Sequence, residues 1–280
     1  MPEANSPRRP ARPARFEQAL ECFREARDLT DPETSPGVYG VILHDIADTY
    51  RDAQDFKEAA EHFRQAVSYK ERADNPGDLA TTMTALANTL ASMGEAAEAR
   101  EVLERLAGQV PKIADTERRA AVLHNMGLSH EELGRLGLEG AYADAVAAYQ
   151  AVLALIDGES DPGWYATVLK DIGDAYASQE MLPQAHASYT EAVRYTRRIG
   201  ETPASLITVL IALGRTSRRL GRLEGEAEGG AAVNGSVREP GASQADAGVP
   251  GAAPPSDASP ADTGPLDAPP LDVPPSRDEP

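Results

Sequence analysis

Between Asp161 and Arg198 apolar residues recur at helical spacing twice, with a polar break between the two runs. Val168, Leu169, Ile172 and Tyr176 share one helix face; SQEMLPQ interrupts; Ala185, Tyr189, Ala192 and Val193 then share another. Recurrence at three and four residues marks an amphipathic helix. The stretch opens on Asp161-Pro162, an N-cap residue followed by the residue that tolerates the first helical position. Two such helices joined by a short turn bury their faces against each other, so the stretch predicts a helical hairpin. Gly173 and Ala185 are the small residues expected at the closest crossing, with Tyr176 and Tyr189 beside it.

The hairpin is repeated. A small residue, an aromatic or Leu four positions on and an apolar residue seven on occur together five times. The sets are Ala19/Phe23/Ala26, Ala59/Phe63/Ala66, Ala99/Leu103/Leu106, Ala145/Tyr149/Val152 and Ala185/Tyr189/Ala192. Their alanines are spaced by 40, 40, 46 and 40 residues. The preceding helices keep the same beat through Ile46-Ala47-Tyr50, Leu86-Ala87-Leu90, Met126-Gly127-His130, Ile172-Gly173-Tyr176 and Leu213-Gly214-Ser217. A fixed period of this length means a solenoid or array. The fold class is therefore all-α, a solenoid of antiparallel helix hairpins.

Read in order, residues 1–14 are a basic, Pro- and Arg-rich segment expected to be disordered. The solenoid is expected over 15–226. It starts with a second-type helix, Phe16 to Leu29, that lacks a first-type partner. Four hairpins follow, then a last first-type helix, Ser205 to Leu220, that stops at Gly221. Gly94 should supply a positive φ in the second hairpin's turn. The six extra residues of the 46-residue spacing fall between Gly134 and Tyr142, where they read as a longer turn. Residues 227–280 are rich in Gly, Ala, Pro, Ser and Asp and too poor in large apolar residues to offset chain entropy, so they are expected to be disordered.

Charge narrows the function. The chain carries a formal net charge of −18, which argues against nucleic acid or an anionic membrane as a partner. A single cysteine, Cys22, excludes an internal disulfide framework and reads as a small, half-buried apolar residue. No apolar run is long enough for a membrane span and no signal peptide is evident, so a cytoplasmic location is expected. The richness in Ala, Arg, Gly and Pro suits a high-GC bacterial genome. The histidines His44, His62, His124, His130 and His186 form no HExxH pair, and no phosphate loop, dinucleotide fingerprint or nucleophile elbow occurs. No catalytic constellation, metal site or cofactor is expected. The chain reads as a non-enzyme.

At the repeated positions the chain resembles the tetratricopeptide repeat family. That pattern places a large apolar residue, Leu-Gly and Tyr on the first helix, and Ala, Phe and Ala on the second. The units Ile46 to Ala66 and Ile172 to Ala192 match well. Leu90, His130 and Ser217 depart at the aromatic position, and no proline closes the second helices. The usual unit has 34 residues; the longer period is similar to variants in kinesin light chains and bacterial peptide-pheromone receptors. The resemblance covers Arg15 to Glu226 and implies a right-handed superhelix whose concave groove is lined by the first helices.

In that family groove residues lie one turn apart on the first helix. Here the two columns are His44, Thr84, His124, Lys170, Ile211 and Asp48, Asn88, Leu128, Asp174, Arg215. Arg218 belongs to a neighbouring set that also holds Arg51, Ser92, Glu131 and Arg219. The groove is expected to be mixed or acidic early and basic at its C-terminal end. Co-chaperone members clamp a C-terminal carboxylate with Lys, Asn and Arg; His44, Ala85 and Ala121 break that pattern. The implied function is a non-catalytic interaction scaffold holding a peptide segment or partner helix. The alternatives are a peptide-sensing regulator and an accessory subunit of a separate enzyme. A homo-oligomer through the two incomplete ends is a further expectation.

Overall fold

A computed structural model of the chain describes residues 14–199 and 203–234, with side chains described through residue 225. Among the described residues the architecture is all-α, without a strand. α1 (Ala14–Asp28) stands first and α10 (Pro203–Asn234) last. Between them run four hairpins: α2 (Pro36–Asp52) with α3 (Phe56–Glu71), α4 (Pro76–Ser92) with α5 (Ala96–Ala107), α6 (Thr116–Arg135) with α7 (Ala141–Leu153), and α8 (Pro162–Ser178) with α9 (Leu182–Arg198). Each helix packs on its hairpin partner, and α3, α7 and α9 also pack on the first helix that follows them. This is a solenoid of stacked hairpins.

Helix starts are written in the sequence. Pro36, Pro76 and Pro162 each occupy a first helical position. The side chains of Asn75, Asp115 and Asp161 accept the amides of Asp78, Arg118 and Trp164, which satisfies donors the first turn would leave orphaned. Hairpin turns share one geometry. The amides of Asp55, Glu95, Leu138 and Met181 donate to the carbonyls of Tyr50, Leu90, Leu133 and Tyr176 at 2.8–3.0 Å. The residue before each donor has positive φ: Gln54, Gly94, Gly137 and Glu180. Gly94 therefore serves as expected, and two non-glycine residues accept the same strained conformation.

The packing follows the repeat. Ala59, Ala99, Ala145 and Ala185 are fully buried, and so are Phe63, Leu103 and Tyr149, with Tyr189 only 2% exposed. Opposite them lie Ile46, Leu86, Met126 and Ile172, also buried. Gly173 makes room for the Tyr189 ring itself: a Cβ there would lie 2.5 Å from Tyr189 Cε1. Gly127 does the same for Tyr149, at 2.3 Å. Where the facing residue is Phe63 or Leu103, the first helix carries Ala47 or Ala87 instead.

Three expectations are corrected. The helix expected to stop at Gly221 runs on to Asn234, past the boundary set at 227. A single glycine in a helix interior costs only about 1 kcal/mol, and residues 222–228, Gly225 apart, are good helix formers. The six-residue insertion is not only a longer turn. α6 takes three of the residues, having 20 against 17 in α2, α4 and α8. Cys22 is exposed rather than half-buried, because it points away from Leu20, the buried residue by which α1 seats on the core. Residues 1–13 and 235–280 lie outside the described residues, so their expected disorder does too.

Candidate functional site

The first helices α2, α4, α6 and α8 are joined to one another along one face by side-chain hydrogen bonds. His44 Nδ1 lies 3.1 Å from Thr82 Oγ1, linking α2 to α4. Ser129 Oγ donates to Asn88 Oδ1 at 2.6 Å, linking α6 to α4. His124 Nε2 lies 2.9 Å from Asp171 Oδ2, linking α6 to α8. Successive hairpins are thus stitched by bonds that each join one residue of the two columns to a neighbour outside them.

Two groups form on this face. The first is a shallow pocket of about 270 Å³ lined by α2, α4 and α6. It brings together the expected His44, Asp48, Thr84 and Asn88 with Arg51, and adds Thr81, Ala85, Val122 and Asn125. Asp48 sits 3.4 Å from His44 Nε2 and 2.9 Å from Arg51. Burial works against its charge, but the His44 hydrogen bond, with Arg51 and Lys70 nearby, outweighs it and holds the carboxyl below its ordinary value. Thr84 is nearly closed off, donating back to the Ala80 carbonyl. The pocket presents fixed polar groups of both signs around small side chains.

The second group lies on α6, α8 and the tyrosines beneath them. Lys170 Nζ reaches Asp174 at 2.6 Å and Asp171 at 3.3 Å. Tyr189 threads under Gly173 and donates to Asp174 at 2.6 Å. Tyr149 threads under Gly127 and donates to Glu131 at 3.2 Å. His124, Lys170 and Asp174 therefore face each other as a network, while Leu128, Ile211, Arg215 and Arg218 stand exposed. The columns are continuous in register but not equivalent in use.

Asp171 and Asn125 are the residues that reading two columns overlooked. The same spacing applied one residue after His44 yields Asp45, Ala85, Asn125 and Asp171, a third column of which two members line the pocket and one ties α8 to α6. Among the described residues no cluster of three His, Cys, Asp or Glu side chains is arranged to hold a metal ion.

Glu131 gives this face a pH dependence. Burial raises its pKa above the ordinary 4.5, and Asp171 and Asp174 push the same way, against the Tyr149 hydrogen bond and Arg135. A carboxyl raised on folding destabilises the fold when ionised: the penalty is absent below the unfolded pKa and sets in as pH rises through the folded one. Glu131→Gln keeps an acceptor for Tyr149 and removes the charge. The variant should therefore melt higher than the parent at neutral pH, and the difference should vanish as pH falls through 4.5. Thermal melts at a series of pH values check this; a variant less stable at pH 7 would refute the assignment.

Comparison with known proteins agrees with this architecture. Residues 50–123 match the tetratricopeptide repeat family. The fold is similar to the crystal structure of BtubC (BKLC) from P. vanneervenii, with a TM-score of 0.54 and 21% identity over 85% of this chain and 97% of that one. It is also similar to a putative kinesin light chain from Podosopora anserina with nearly identical TPR-like repeats. There the TM-score is 0.53 with 16% identity over 67% of this chain and 90% of that one. Aspartyl phosphate phosphatase F from Bacillus subtilis gives 0.52 and 13% over 77% and 58%. No curated protein matches the sequence. No described helix is long and apolar enough to cross a membrane. The described helices form a solenoid of tetratricopeptide-like repeats.

Proposed function

We propose that this chain is a non-catalytic scaffold that holds an extended peptide segment or a partner helix against the face formed by α2, α4, α6 and α8. The observation that carries the proposal is the pocket shared by three successive first helices, where His44, Asp48, Arg51, Asn88 and Asn125 converge. An amide side chain can pair with both the N–H and the C=O of a peptide backbone. Rigid helices hold these amides in place, so little ordering entropy is lost when a strand lies across them. The charged groups at the rim would set register and choice of side chain. Leu128, Ile211, Arg215 and Arg218 extend the proposed surface toward its C-terminal end, which is exposed and basic. A cytoplasmic location for this activity is part of the proposal.

Selection of a random peptide library on the full chain tests it. Enriched peptides should lose binding by about tenfold or more, 1.4 kcal/mol, to a chain carrying Asp48→Arg and Asn88→Ala together. Asn88 is exposed and Asp48 only half-buried, its side chain 36% exposed, so the fold should survive. No enrichment, or equal binding to the variant, would overturn the proposal.

A further inference from the structure

The two ends of the solenoid are complementary halves of one repeat. α10 is a first-type helix, and among the described residues no second-type helix packs on its free flank. Its motif glycine shows this directly. An added Cβ at Gly127 or Gly173 meets a tyrosine ring at 2.3 or 2.5 Å, whereas one at Gly214 has nothing within 4 Å. Around that open hollow Ile207, Leu210 and Ile211 are 53%, 39% and 48% exposed.

α1 is a second-type helix with the opposite deficit. Its motif residues Ala19, Phe23 and Ala26 are only half-buried, while their counterparts Ala59, Phe63 and Ala66 are 0% exposed. We propose that α1 of a second copy docks on α10, with Phe23 over Gly214, so that chains stack head to tail. The docked helix would supply the missing half-repeat, and its own α2 would follow as the next first helix, continuing the alternation of the solenoid. Charge agrees. In the antiparallel hairpin register the N-terminal half of α1, with Glu17 and Glu21, lies beside the part of α10 that carries Arg215, Arg218 and Arg222. The contact is heterologous and does not close on itself, so it predicts chains of copies rather than a fixed dimer. The contact shares Ile211, Arg215 and Arg218 with the C-terminal end of the proposed peptide-binding surface but does not involve the pocket at His44, Asp48 and Asn88.

Sedimentation velocity on the full chain tests it. The average mass should rise with concentration without a plateau at the dimer. Phe23→Asp and Leu210→Asp should each leave a monomer with unchanged helical circular dichroism. Mixed together, they should form a one-to-one dimer and nothing larger, because each variant retains the end that the other has lost. Should Phe23→Asp unfold α1, Glu21→Arg and Arg218→Glu serve instead: each should weaken association a few-fold, and combining them should restore it. A parent chain that stays monomeric at every concentration would overturn the proposal. So would association that both aspartate variants leave intact, or a mixture that fails to pair; the first of these would point to residues 235–280 or another surface.

Discussion

Replacing Phe63 by alanine should lower the unfolding free energy by about 3–5 kcal/mol, whereas Phe63→Leu should cost less than about 1.5 kcal/mol. Phe63 is 0% exposed, so truncation removes its transfer free energy and leaves a cavity between α2 and α3. Leucine is tolerated because the next hairpin already uses Leu103 at the same position, equally buried. The ring also supports the candidate site. His44 meets it edge-on at 5.3 Å between centroids, and the Arg51 guanidinium lies 5.6 Å from its centre. Alanine should therefore weaken peptide binding as well as stability. Chemical denaturation reads the first effect; a cost under about 1 kcal/mol would mean that the 40-residue spacing does not mark the hairpin core.

Gly173→Leu should cost about 3 kcal/mol, while Gly214→Ala should gain about 0.5–1 kcal/mol. Both glycines hold the same place in the repeat, but only Gly173 has a partner ring packed on it. A side chain at 173 displaces the Tyr189 ring, which overpacks the crossing and pulls the phenol from Asp174. A hydrogen bond to a charged group adds about 1.5–3 kcal/mol to the loss. At 214 no ring is present, and alanine only removes backbone freedom from the unfolded chain. The comparison is best made in a Leu210→Asp background, which keeps association out of the measurement. Equal effects at the two positions would contradict the packing described for Gly173.

The hairpin fold was legible because its determinants are local and repeated. Ala59, Phe63 and Ala66 look like any helix face alone, but the recurrence of the trio at near-constant spacing singles out the crossing. What escaped was set by neighbours outside the repeat unit. Nothing local distinguishes Gly221 from a helix stop; among the described residues no second helix follows that would require a turn there. Cys22 was misjudged because its position in the motif is defined by packing on two sides, and α1 packs on one. The period generates the two columns and equally the third that holds Asn125 and Asp171; it does not show which members pair across adjacent first helices, since that depends on the offset between those helices. Even within the columns, the pocket at His44, Asp48 and Asn88 and the network at His124, Lys170 and Asp174 differ. The choice between an open donor and a satisfied one is made by a side chain some 40 residues away, as Thr82 is for His44.

The most direct test of the central claim is to locate a selected peptide on the surface. A photo-activatable side chain placed at Thr81, which lines the pocket, should cross-link to the peptide. The same group at Glu101, exposed on α5, should not. Cross-linking at 81 that is lost when unlabelled peptide competes would place the ligand on the face of first helices. Cross-linking at 101 alone would move the binding surface to the second helices and contradict the account.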